Sequence, residues 1–380
     1  MIATAAHVSR PPGILPPRFT LDGSPALEER LGRACAAVAA GIRGLIPPRR
    51  LEAVLLAGGY GRGEGGVMAT AAGDRPYNDL EFYVCLRGNR HLNERRHQLP
   101  LHVLGEILTP INGVEVEFKI IDLAGLRRSA ISMFSYDLLL GHRQLLGDGG
   151  ALFGLTHHRM AERIPLSEAT RLLMNRCTGL LFAQERLDRD EFTAADADFV
   201  RRNLAKAELA FGDAVLAAHG QYHWSCRERQ RRLQRLVPDG PPPWLEEVRR
   251  RHASGVDFKL RPERSPAGRP ALKASLTAVS TLGLQVWLWQ ESRRLGEAFA
   301  SAGDYAASSL DKCPETSPRR NALVNFNLAG FRGLFRCNPW RHPRDRALSA
   351  LSRLLWEPTA SRAPFRELVA SYRKLWQRVS

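Results

Sequence analysis

The sequence predicts an α+β protein in which a small domain on a short mixed sheet precedes a larger, mainly α-helical domain. Two observations carry this expectation. Short apolar strands at 52–57, 79–85 and 114–121 are interleaved with helical segments in the first third of the chain. From Ser129 onward, apolar residues recur almost throughout at the spacing of one helix face, without strand signals.

The elements follow in order. Residues 1–24, rich in Pro and Gly (RPPGILPPRF), read as an irregular leader. Ser24 is a candidate N-cap, with Pro25 at the first helical position, and Pro47-Pro48 ends the first helix. The strand EAVLLA then runs into a glycine-dense turn, GGYGRGEGGV. A polar loop, ATAAGDRPYN, separates it from the strand DLEFYVC. Residues 90–108 read as a helix with Pro100 as an internal defect. The strand VEVEFKII alternates apolar and charged residues with period two. These elements make a first domain at 25–128. Residues 129–380 make the helical domain, broken at Pro241-Pro242-Pro243 and again at 261–270.

Composition narrows the class of protein. A chain of 380 residues with 44% hydrophobic residues can bury two cores. No apolar run approaches the ~18 residues of a membrane span. The N-terminal residues lack the basic-then-apolar order of a secretory signal, so a cytoplasmic protein is expected. The six cysteines lie far apart, without zinc-ligand spacing, and read as buried thiols. The net charge of +16 raises a nucleic-acid partner. That partner is not favoured, because Arg supplies 49 of the 55 basic residues and they are spread along the whole chain.

The residues that carry chemistry lie in the first domain. Glycines 58, 59, 61, 63, 65 and 66 let a backbone approach a ligand closely, and Arg62 offers a fork suited to phosphate oxygens. No Gly-Lys-Ser/Thr follows, so this is not a Walker A loop, and the downstream acids do not fit a dinucleotide fingerprint. In a strand, Asp79 and Glu81 project from one face, as do Glu115 and Glu117 on the later strand. Carboxylates so placed repel unless a cation lies among them, and a hard divalent ion such as Mg²⁺ meets that need. If the two strands are neighbours, three carboxylates converge.

LLAGGYGRGEGG, then YNDLEFYV, then VEVEFKII resembles the polymerase β-type nucleotidyltransferase superfamily, over roughly residues 50–125. YDLLLGHRQLLGD resembles, more weakly, a segment that follows the catalytic domain in some bacterial members. The resemblance implies that Gly58, Gly59, Arg62 and Gly63 hold the triphosphate and that Asp79 and Glu81 bind Mg²⁺ (Mn²⁺ is the second option). It assigns the third acid to Glu117, or to Glu115 in a different register. It implies an enzyme that moves a nucleoside monophosphate from an NTP to a hydroxyl acceptor, a small molecule or a protein. The sequence departs from the family pattern at Glu81, where Asp is commoner. It also places nineteen residues between Gly59 and Asp79, which implies an inserted loop. These departures support the alternative of a catalytically weak or inactive relative acting as a nucleotide sensor or regulatory partner.

Overall fold

The computed structural model describes residues 18–263, 268–334, 338–357 and 362–379. Most of the leader, Cys337 and parts of the loops at 261–270 and 357–361 lie outside the described residues. The fold is α+β, with a small mixed sheet and many helices. The chain forms two compact units. Unit 1 holds Met1–Arg163 with His223–Glu228 and Asp257–Glu263, and unit 2 holds the rest.

In unit 1 the first helix, α1, spans Pro25–Leu45. It is followed by β1 (Leu51–Leu56), the single helical turn α2 (Gly58–Gly61), β2 (Val67–Thr70) and β3 (Gly73–Pro76). Next come β4 (Leu80–Leu86), α3 (Arg90–Asn112), β5 (Val116–Ile121), α4 (Leu123–Arg128), α5 (Met133–Leu140) and β6 (Arg143–Gly147). The helix α3 continues through Pro100 and Pro110 and stops at Gly113, whose φ of +64° suits a residue without Cβ.

The main sheet has the order β5-β4-β1-β6. Strand β1 is antiparallel to both β4 and β6, whereas β4 and β5 are parallel. Period-two alternation lets both faces be covered. Val54, Leu56, Phe82, Val84, Phe118 and Ile120 join the buried residues of α1 and α3 on one face. Ala53, Leu55, Tyr83 and Cys85 join Leu123, Leu138 and Leu139 on the other. The phenyl rings of Phe82 and Phe118 stack across β4 and β5 with centroids 5.6 Å apart. Burial of these side chains, about 1.5–3 kcal/mol for each large one, sets which strands become neighbours.

The structure differs from the sequence reading at two places in this unit. The spacer expected to be an inserted loop contains a β-hairpin, in which β2 and β3 pair through a two-residue turn with Thr70 opposite Gly73. Its two ends are joined by the buried Tyr60: the phenol O–H donates to the Gly66 carbonyl (2.8 Å) and accepts from the Tyr77 amide (3.0 Å). Strand β6 lies in the stretch after Ser129 that reads as helical, and pairing with β1 places it in the sheet. A five-residue edge strand has too little alternation to be recognised without its partner.

The remaining helices are α6 (Leu166–Leu187), α7 (Ala194–Ala218), α8 (Cys226–Arg235), α9 (Leu245–Leu260), α10 (Arg269–Leu295), α11 (Ala302–Ala307), α12 (Pro318–Leu334), α13 (Pro343–Trp356) and α14 (Arg362–Val379). In unit 2, α6 packs against α7, α10, α13 and α14. The centre of that packing holds Trp287, fully buried and edge-on to Tyr305. Beside it the buried Glu291 carboxylate accepts from Thr170 and from the Tyr305 hydroxyl and pairs with Arg294 at 2.6 Å. No helix among the described residues is long and apolar enough to cross a membrane.

Candidate functional site

The site forms where β1 ends and β4 and β5 begin. Leu56, the last residue of β1, lies opposite Phe82, and the Ala57 amide donates to the Glu81 carbonyl at 2.9 Å. The backbone then turns sharply through α2. Gly58 takes φ +65°, and a Cβ there would lie 3.2 Å from Glu81 Oε2. A Cβ on Gly61 would lie 2.2 Å from the Leu56 carbonyl oxygen, so this turn also excludes side chains on its inner side. The glycine turn and the Glu81 carboxylate are therefore close neighbours.

Register decides which acids meet. In the parallel pair β4–β5, Glu81 lies opposite Glu117. The ligand oxygens of Asp79, Glu81 and Glu117 all lie within 4.8 Å of one another. Glu115 is exposed and precedes β5; its carbonyl accepts the Leu80 amide at 2.8 Å, and it is not part of that group. Three convergent carboxylate oxygens form a hard donor set of the kind that Mg²⁺ or Mn²⁺ takes, so the residues fit such an ion.

The electrostatics agree with that fit. Burial and then the charges of Glu81 and Glu117 raise the Asp79 pKa above its usual value. The folded protein thus holds a carboxylate where its ionised form is disfavoured, a common mark of a functional position. Tyr83, beneath the cluster on the same face of β4, is pushed up to about 12 by burial and by the same acids.

Lys119, two residues beyond Glu117 on the same face of β5, was not singled out in the sequence. Its Nζ donates to Glu81 Oε1 and lies 3.2 Å from both that oxygen and Glu117 Oε2. Burial alone would lower the Lys119 pKa, but Glu81 and the bonds to both acids outweigh it and raise the value. The period-two face that contains Glu115 and Glu117 also contains Lys119, which was the available signal.

Arg62 is already engaged. Its Nη1 pairs with Asp137 Oδ2 at 2.7 Å and reaches the Trp224 carbonyl at 3.2 Å, while Nε donates to the Gly58 carbonyl at 3.0 Å. The guanidinium thereby ties the glycine turn to α5. Gly63 adopts φ +76° just beyond it. Gly59 is hemmed in by Glu64, whose carbonyl would lie 3.0 Å from a Cβ there.

Glu64 is a second residue the sequence did not disclose, an acid inside a glycine loop. It is buried, and its carboxylate accepts from the Ser225 hydroxyl and from the Cys226 amide at 2.8 Å. Burial pushes its pKa up, but Lys259, Ser225, Cys226 and Arg62 together hold it below the usual value.

Several other histidines and asparagines are held in local hydrogen bonds. His158 lies between Ser135 Oγ (3.0 Å) and the Leu126 carbonyl (2.8 Å), and His157 meets the Ser129 carbonyl. His223 Nδ1 accepts the Ser225 amide. Asn175 accepts from the Trp376 indole, and Asn203 donates to the Phe199 carbonyl.

Gly58→Ala tests the close approach. The left-handed backbone costs a residue with Cβ about 1–2 kcal/mol, and the methyl group would press on Glu81. The variant should melt several degrees lower than wild type and gain less thermal stability from Mn²⁺. An unchanged response to Mn²⁺ would separate the turn from the carboxylates. In comparison with known proteins, no family model and no curated protein matches the chain.

Proposed function

We propose that the chain is a polymerase β-type nucleotidyltransferase, moving a nucleoside monophosphate from an NTP to a hydroxyl acceptor with release of pyrophosphate. The observation that carries the reading is the convergence of Asp79, Glu81 and Glu117 beside a glycine turn in which a Cβ on Gly58 would press on Glu81. Acids alone are common on strands; here they lie beside a turn of successive glycines, the kind of backbone whose main-chain amides can cradle an anion.

Asp79, Glu81 and Glu117 would hold Mg²⁺ or Mn²⁺, which supplies charge neutralisation and polarisation of the phosphates. Gly58, Gly59 and Gly63 admit the triphosphate to the backbone, and Arg62, held by Asp137, keeps that turn in shape. The acceptor oxygen forms a bond to the α-phosphorus, and the bond from that phosphorus to the bridging oxygen breaks. Pyrophosphate takes the electron pair, and the hydroxyl proton passes to solvent or to Glu117.

The test is pyrophosphate release with each NTP, Mg²⁺ or Mn²⁺ and pools of small-molecule and protein hydroxyl acceptors. Turnover with at least one combination, lost in Asp79→Ala, is the expected result; no turnover across the panel would count against the enzyme.

One observation favours the second reading, a weakly catalytic nucleotide sensor or regulatory partner. Lys119 is paired with two of the three acids. Thermal stabilisation by an NTP with Mg²⁺, without pyrophosphate release, would select that reading. The net charge is the main feature behind a nucleic-acid substrate, and binding to RNA and DNA that is weak and insensitive to salt would remove it.

A further inference from the structure

We infer that the carboxylate site takes a single divalent ion and that Lys119 serves as its second, built-in cation. The inference rests on the nucleotidyltransferase reading and concerns how that site is charged.

The two oxygens of Glu81 face different partners. Oε1 receives the Lys119 ammonium at 3.2 Å, whereas Oε2 is the atom that a Cβ on Gly58 would meet. Lys119 also lies 3.2 Å from Glu117 Oε2, so the ammonium bridges the two acids that register brings opposite each other on β4 and β5. Among the described residues the ion pairs of Lys119 are with Glu81 and Glu117, and Asp79, the third acid of the cluster, has none within 4 Å. The Asp79 side of the cluster is where a positive charge is still needed.

Charge counting gives the same answer. Three ionised carboxylates and one ammonium leave −2, which one divalent ion neutralises. A second divalent ion would have to displace the ammonium from Glu81 and Glu117, or lie against it at a few ångströms, where like charges repel. The strand fixes this arrangement: Glu117 and Lys119 are two residues apart on one face, and the ammonium also lies 5.9 Å from the centroid of the Tyr83 ring.

Lys119 is thus a positioning residue for the ion, and its effect is read as a stoichiometry. Mn²⁺ alone is titrated into the full-length protein and followed by electron paramagnetic resonance and calorimetry. Wild type should bind one Mn²⁺ per chain. Lys119→Met removes the charge while keeping a side chain of similar length, and should bind two, with spin exchange between neighbouring ions. Lys119→Arg should return to one. Two ions in wild type, or one with unchanged affinity in Lys119→Met, would overturn the inference and leave the nucleotidyltransferase reading standing. No Mn²⁺ on wild type or on Lys119→Met would defeat both. Matching circular-dichroism spectra for the three proteins ensure that the comparison is made on folded chains.

Discussion

Asp79→Asn is expected to reduce metal-dependent pyrophosphate release at least about a hundredfold while leaving the metal-free protein no less stable than wild type. Loss of a residue that merely orients a metal ligand already costs about 10–100-fold, and Asp79 is placed to be a ligand itself. The stability half of the prediction follows from its pKa, which burial and the charges of Glu81 and Glu117 raise above the usual 3.8. Above that usual value the folded chain binds more protons at this position than the unfolded chain does. Stability contributed here therefore falls as pH rises through the window up to the folded pKa. Asn carries no charge, so the advantage of the variant should appear in that window and persist at neutral pH. Mn²⁺ should reverse the order, raising the melting temperature of wild type and not that of Asp79→Asn. The measurements are pyrophosphate release at neutral pH and thermal melts between pH 4 and 8, with and without Mn²⁺. A variant that retains wild-type turnover refutes the site.

Glu64→Ala is expected to destabilise unit 1 by about 3 kcal/mol, since each buried polar group left without its partner costs about 1–3 kcal/mol. The substitution strands the Ser225 hydroxyl and the Cys226 amide and removes the negative charge facing Lys259 and Arg62. The Glu64 amide also donates to the Gly59 carbonyl at 2.8 Å, so backbone loosening at residue 64 should pass to the glycine turn and weaken nucleotide-dependent stabilisation. The folded pKa lies below the usual 4.5. The contribution is therefore fully present above pH 4.5 and is lost as pH falls through the folded value. Urea midpoints should differ most at pH 7, and the gap between Glu64→Ala and wild type should shrink under acid conditions. Equal midpoints at pH 7 would show that the buried carboxylate contributes nothing net. Glu64→Gln, which keeps the shape and one acceptor, should fall between the two.

Some of the site is legible in the chain because it is local. The common face of Asp79 and Glu81 follows from the period of one strand, and the need for glycine at 58 and 61 follows from a turn made by adjacent residues. The long helices were legible for the same reason: α6, α7 and α10 each repeat an apolar face over many turns. The hairpin β2–β3 was not, because MATAAGDRP alternates weakly and is closed from outside by Tyr60.

By itself the sequence determined the α+β class, the glycine turn and the pairing of acids along each strand, all set by neighbours within a few residues. Only the tertiary structure decided which third acid joins them. The β4–β5 register puts Glu117, and not Glu115, opposite Glu81, and the packing of apolar side chains on both sheet faces holds that register. The same register brings Lys119 to Glu81, a contact across 38 residues, while the fold joins Arg62 to Asp137 across 75 and Glu64 to Cys226 across 162. No periodicity within one segment encodes such contacts. They arise when separate segments bury their apolar faces together and leave their charged groups to find partners at the edges.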